Sequence, residues 1–327
     1  MQILKSILLL LVGFLFLIKG ADFFVDGSSG VAKKLKIPSL IIGLTIVAIG
    51  TSLPEFSVSL AAAITKNSAL AVSNVIGSNI FNLLVVLGLS SIFKPLAVSR
   101  DIFKRDYPLS VLITFFLLIF SYIGMNLNRL EGISFILVLI IYLIVVVFSA
   151  LKSRKNNIKK DLEESSYNEE QSSYDDIDER SMFLNLIFII GGGIAIKFGG
   201  EWVVGGAVSF AEFFNIPQNI IGLTIVAIGT SLPELATSIV AARKGELDIS
   251  VGNVIGSNIF NILGVAGSAA AISQISIIYY NLIDIILLIA FSIITGIFCL
   301  TRKELDKKEG IIMICMYAIY NIYICIR

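Results

Sequence analysis

Residues Ile41 to Glu55 read IIGLTIVAIGTSLPE, and residues Ile220 to Glu234 read the same fifteen letters again. A second block follows each copy: NVIGSNIFN at Asn74 to Asn82, and NVIGSNIFN once more at Asn253 to Asn261. Both blocks are displaced by 179 residues, so nothing was inserted between them in either copy. Each copy sets a carboxylate, hydroxyls, an amide and a proline inside a strongly apolar run. Such a polar set, written twice, predicts one cation site built from both copies at the middle of a membrane.

The surrounding chain supports the membrane setting. Of its 327 residues 56% are hydrophobic and 15% charged, with a mean hydropathy of +0.91; soluble domains average about 25% charged residues. Apolar runs of roughly 20 residues, the length a helix needs to cross a bilayer, recur throughout. The sequence has no histidine, which excludes an imidazole metal ligand or proton shuttle. Its three cysteines, Cys299, Cys315 and Cys325, lack metal-ligand spacing and read as small packing residues. The opening MQILKSILLLLVGFLFLIKG has no clear cleavage site and is expected to be the first membrane helix, not a removed signal.

The expected class is an all-α membrane protein. Ten spans are expected, near 3–33, 37–65, 69–92, 107–126, 131–151, 182–212, 216–242, 248–273, 279–300 and 309–326. The first and sixth are long and carry polar residues in their second halves: Lys19, Asp22 and Asp26, then Lys197 and Glu201. Residues 152–180 break the apolar pattern with KSRKNNIKK and then nine acidic residues, and are expected to form a disordered cytoplasmic loop. Within it Asp175, Asp176, Asp178 and Glu179 lack the glycine and spacing of a calcium loop. The loop separates two units, 1–151 with its motif at 41–82 and 181–327 with its motif at 220–261. Each unit holds five spans. Five is odd, so two like units must lie inverted in the membrane, a common construction of secondary transporters.

Basic residues test the count. Loops after spans 1, 3, 5, 7 and 9 hold 19 of the 25 lysines and arginines. The opposite side holds four: Lys5, Lys66, Arg129 and Arg327. This asymmetry places the central loop in the cytoplasm and both termini outside the cell membrane.

The motif chemistry suits a hard cation. On a helix, Ala48, Ser52 and Glu55 share a face, and Thr51 stands four residues before Glu55. Pro54 lacks an N–H and disturbs the carbonyl of Gly50, which frees backbone oxygens nearby. Freed carbonyls, hydroxyls and a carboxylate are ligands that Ca2+ and Na+ prefer. Ser78 and Asn82 repeat the i, i+4 pattern in the second block. Glu55 lies 11 residues from Lys66. That separation is roughly 16 Å of helix, about half the hydrocarbon thickness. Gly43, Gly77, Gly222 and Gly256 read as helix-packing glycines. That reading fails for Glu55 and Glu234, because an ionisable group at the bilayer centre is costly and marks function.

GTSLPE at 50–55 and 229–234, with SNVIGSN at 73–79 and GNVIGSN at 252–258, closely resembles the alpha repeats of the cation/calcium exchanger superfamily. The match is to its sodium/calcium exchanger branch and to short prokaryotic members. The resemblance implies ten helices in two inverted five-helix repeats and four ion sites between the second, third, seventh and eighth helices. It implies that Glu55 and Glu234 bridge those sites and ligate Ca2+, with Thr51 and Thr230 contributing carbonyls. Ala48, Ser52 and Ser78 would form one outlying Na+ site, and Ala227, Ser231 and Ser257 its mirror. Asn82 and Asn261 would lie centrally. Some relatives carry aspartate at the Asn261 position, where it is associated with potassium dependence; asparagine argues against K+ coupling.

The resulting expectation is an antiporter exchanging Na+ for Ca2+ by alternating access, with no cofactor and no enzymatic activity. Its partners are the two ions and the lipid bilayer; nothing points to nucleic acid, and a monomer fits. The first and sixth helices are the expected moving element, with Gly27, Gly30, Gly205 and Gly206 permitting sliding. Competing readings are a K+-dependent or H+-coupled Ca2+ exchanger and, from another class, a cation channel that would conduct without a counter-ion gradient.

Overall fold

The apolar runs fold as helices, in a computed structural model that describes residues 2–65, 68–99, 101–167, 180–214, 227–302 and 304–326. The first half contains α1 (Gln2–Leu35), α2 (Ser39–Thr51), α3 (Leu53–Ile64), α4 (Leu70–Phe93), α5 (Ile102–Gly124) and α6 (Arg129–Tyr167). The second contains α7 (Met182–Phe213), α8 (Leu232–Lys244), α9 (Leu247–Ile272), α10 (Tyr279–Arg302) and α11 (Lys307–Ile326). Among the described residues eight helices are long and apolar enough to span a bilayer. The count is nine if α2 and α3, bent by 47° at a break, are taken together as one span. The remaining expected span, 216–242, begins outside the described residues; its described part is a short turn at Ala227–Gly229 and then α8.

One boundary differs from expectation. Helix α6 does not end at 151 but continues to Tyr167, into the segment expected to be disordered. Four lysines and an arginine stand among residues 152–163 and cost little in a helix, so a preceding span propagates through them. The acidic cluster at 175–179 lies outside the described residues.

The two long helices form a pair. Gly13, Gly20 and Gly27 recur every seven residues on α1, and Gly192, Gly199 and Gly206 do so on α7. A Cβ at Gly20 would lie 2.8 Å from the Ile196 nitrogen, and one at Gly199 would lie 2.6 Å from the Leu17 nitrogen. Gly13 meets Gly199 while Gly27 meets Asn185, so the helices run antiparallel. Without a hydrophobic drive inside lipid, this close backbone approach supplies the dispersion contacts that hold them. Gly27 and Gly206 therefore belong to a locked seam, while a Cβ on Gly205 would meet nothing within 4 Å.

The remaining helices pack with two-fold reciprocity. Two short ladders pair Leu96–Ala97 (β1) with Glu304–Leu305 (β4), and Asn126–Leu127 (β2) with Ile275–Ser276 (β3). The element that β1 matches in the second half is β3, so each half's first ladder strand pairs with the other half's second. The glycines repeat this exchange. Gly132 on α6 abuts Gly267 on α9, and Gly310 on α11 abuts Gly88 on α4. Such swapped contacts are what two self-complementary halves produce.

Candidate cation site

In both copies the helix breaks at the serine before LPE. Ser52 has φ −84° and ψ 7°, and Ser231 has φ −93° and ψ 7°. A new helix starts at Leu53 and at Leu232, with Pro54 and Pro233 in first-turn positions where the missing N–H costs nothing. Glu55 and Glu234 thus lie in the first turns of α3 and α8, at helix ends whose dipoles favour a carboxylate. Both are fully buried.

The copies cross. The Ser52 hydroxyl donates to Glu234 Oε1 at 2.8 Å, and the Ser231 hydroxyl donates to Glu55 Oε1 at 2.9 Å. Each serine is three residues from one glutamate and bonded to the other, so the two break points face one another. Ser78 adds a bond to Glu55 Oε1 at 3.3 Å, and Ser257 one to Glu234 Oε1 at 3.5 Å.

The hydrogen bonds group these side chains differently from the implied outlying clusters. Ser257, not Ser78, donates to the Ala48 carbonyl, at 3.3 Å, and so joins Ala48, Ser52 and Glu234. Ser78 joins Ser231 and Glu55. The cause is Gly256: a Cβ there would sit 2.7 Å from the Leu44 carbonyl, so its absence lets α9 press onto α2 and brings Ser257 to Ala48. Gly43 packs comparably on Ile249. A Cβ on Gly77, however, would meet nothing within 4 Å among the described residues, and Gly222 lies outside them.

Asn82 and Asn261 are fully buried and each opens a π-helical segment, Asn82–Val86 and Asn261–Ala266. Segments of that kind concentrate at functional sites. Among the described residues neither amide atom of Asn82 has a hydrogen-bond partner, nor do Asn261 Oδ1, Glu55 Oε2 or Glu234 Oε2. The Asn261 amide nitrogen donates to Asn79 Oδ1 at 3.1 Å. The Thr51 hydroxyl is buried and donates to Asn253 Oδ1 at 3.0 Å, whereas Thr230 is partly exposed beside a cavity. Ala227 opens the short turn before the second break.

Sequence reasoning passed over an inner layer. Asn74 donates to the Glu55 carbonyl at 3.3 Å and to Ser59 at 2.9 Å, and Asn253 makes the same bonds to Glu234 and Ser238 at the same distances. Asn79 and Asn258 donate to each other's carbonyls at 3.1 and 3.3 Å across the two halves. These four asparagines stand inside the duplicated blocks, so the repeat itself carried the signal. Asn74 and Asn253 hold the backbone on which the glutamates sit, and Asn79 and Asn258 tie α4 to α9.

Electrostatically the site is short of positive charge. Among the described residues no lysine or arginine pairs with either glutamate. A buried charge without a counter-charge is costly, and the surrounding donors are all oxygen or amide. The set fits a hard cation of the Na+ or Ca2+ type.

A family model described as sodium/calcium exchanger protein matches residues 5–148 and 184–326. The chain is 32% identical to the sodium/calcium exchanger MaX1 of Methanosarcina acetivorans, with 98% of each chain covered. It is 37% identical to the inner membrane protein YrbG of Escherichia coli, covering 90% of this chain and 89% of that one. Solved structures of the sodium-calcium exchanger NCX_Mj, one soaked with Na+ and Sr2+, superpose with a TM-score of 0.81 at 29% identity over 97% of each chain.

Proposed function

The chain belongs to the sodium/calcium exchanger family, a multi-pass membrane protein of cation/calcium antiport, and from that premise we propose that it exchanges Na+ for Ca2+ by alternating access. In this reading ten helices form two inverted five-helix repeats. The basic loops and the segment around 152–180 face the cytoplasm, and the termini face outward. The ions are cargo. No cofactor or enzymatic step is required.

One observation carries the proposal. Two fully buried glutamates from crossed helix breaks each keep one carboxylate oxygen without a partner among the described residues, and the fully buried Asn82 amide has none either. Two ionised carboxylates amount to a charge of −2, which one Ca2+ neutralises. The candidate ligands are Ala48, Thr51, Ser52, Glu55, Ser78 and Asn82, with Ala227, Thr230, Ser231, Glu234, Ser257 and Asn261. Na+ competes for the same oxygens, in clusters around Ser52–Ser257–Glu234 and Ser231–Ser78–Glu55. If only loaded forms interconvert readily, occupancy by one ion excludes the other and the fluxes are coupled. Three Na+ per Ca2+, the ratio the resemblance implies, would make the exchange electrogenic. The α1–α7 pair, sealed along its glycines, is the candidate moving body.

The test is ⁴⁵Ca flux in proteoliposomes with Na+, K+ and pH gradients imposed one at a time. Uptake driven by outward Na+ alone is expected. Calcium flux that persists with no counter-ion gradient would replace exchange with conduction.

A further inference from the structure

At one end of the α1–α7 pair, α1 is tied to the rest of the molecule by ions. Lys244, the last residue of α8, contacts Asp26 Oδ1 at 2.7 Å, the Asp22 carbonyl at 3.0 Å and Asp22 Oδ1 at 3.4 Å. Ser29 donates to Glu246 just beyond α8. Arg180, before α7, lies 3.9 Å from Asp26 and over the Phe188 ring, while Lys19 lies 3.7 Å from Asp22. These residues stand on the side that carries the basic loops.

The 179-residue displacement identifies the matching place on the other side. Asp22, Asp26 and Ser29 correspond to Glu201, Gly205 and Val208 on α7, while Lys244 and Glu246 correspond to Thr65 and Asn67 after α3. There the helices stand apart. A cavity of about 580 Å³ lies between Pro54, Ser57 and Val58 of α3 and Glu201, Val204 and Gly205 of α7. Glu201 turns back to Lys197 on its own helix at 3.9 Å. The two equivalents of the tied aspartates thus line an open cleft. The α1–α8 flank is tied, whereas the matching α7–α3 flank is parted by this cavity.

We propose that Lys244, Asp22, Asp26 and the Ser29–Glu246 pair form a latch. It closes the basic face of the ion site and biases the resting protein toward the state open on the opposite face. This rests on the alternating-access reading above. Rocking the α1–α7 body would bring Glu201 toward the end of α3 and pull α1 off α8, breaking the latch. The bias follows from unequal residues. Lys244 has two carboxylates to hold, whereas the α7 counterparts of Asp22 and Asp26 are Glu201 and Gly205, one carboxylate in place of two.

Hydrogen–deuterium exchange of the full-length protein in lipid nanodiscs tests this without an ion gradient, so it can succeed or fail whether or not calcium exchange is observed in parallel. Lys244→Gln and Asp26→Asn should speed amide exchange over 22–35 and 238–246 and slow it over 53–64 and 201–213. The shift expected is about fivefold in the ratio of the two states, near the upper end for a part-exposed ion pair. Lys244→Arg, and the swap of Asp26→Lys with Lys244→Asp, should restore the wild-type pattern. Faster exchange at the latch with no slowing across α3 and α7 would mean local loosening only and would overturn the proposal. So would an unchanged pattern.

Discussion

The first copy of the fifteen-residue block and the second are the same sequence, and at the break before each glutamate, where both are described, the structure gives them the same local geometry. Ser52 and Ser231 break their helices at nearly equal angles, and Asn74 and Asn253 hold the glutamate backbones at equal distances. The segments beside them diverge. One flank carries the Lys244–Asp26 ion pair and the other an open cleft beside Glu201. The ligand set is symmetric between the two copies and the closing surfaces differ. A site read by two faces needs equal chemistry toward both, whereas the balance between faces is set by whatever touches only one of them.

The largest expected effect tests the symmetric part. Glu55→Gln and Glu234→Gln should each abolish Na+-driven ⁴⁵Ca uptake while the protein still inserts and purifies, because one remaining carboxylate halves the charge offered to a divalent ion. Normal uptake by both variants would remove the glutamates from the mechanism. Next in size is the glycine seam. Gly20→Leu and Gly199→Leu place side chains where a Cβ already meets backbone at 2.6–2.8 Å. Each should cost at least about 1–3 kcal/mol by overpacking and lower the melting temperature in detergent. The same change at Gly205, where a Cβ would meet nothing within 4 Å, should leave the melting temperature alone.

A smaller effect addresses equivalence directly. Ser52→Ala and Ser231→Ala each remove one crossed hydrogen bond to a glutamate, of 2.8 and 2.9 Å. A hydrogen bond to a charged group contributes about 1.5–3 kcal/mol, so each variant should weaken apparent Ca2+ affinity by roughly tenfold or more. The two losses should match within error. Unequal losses would show that the copies have different duties despite their common sequence.

Much of this arrangement was legible in the chain. The duplicated blocks located both glutamates and both asparagines, because a polar set inside an apolar run has few structural explanations. The break before each proline was legible because Pro54 cannot donate to Gly50. What escaped was information carried by tertiary approach. That Ser257 reaches Ala48 depends on Gly256 letting α9 press against α2, which no spacing along one helix reveals. The latch escaped because Asp22 and Lys244 are 222 residues apart and each alone reads as a wet helix end. The glycine heptads were visible as letters, but their partner helix was not.

The smallest expected effect is no effect, and it sharpens the comparison at the centre of the site. Asn82 and Asn261 occupy equivalent positions, both buried, both opening π-helical segments, and both uncharged. With amides at both positions the site charge rests on Glu55 and Glu234 alone, and one divalent ion balances it. Replacing external K+ by choline should therefore leave Na+-driven ⁴⁵Ca uptake unchanged. Asn261→Asp adds a third carboxylate and breaks the equivalence, so neutrality with Ca2+ bound then calls for one more monovalent cation. That variant should acquire a K+ requirement or lose Ca2+ transport until K+ is supplied. A wild-type chain that stalls in choline would mean that the two amides, despite their lack of charge, already bind the extra cation through oxygen alone.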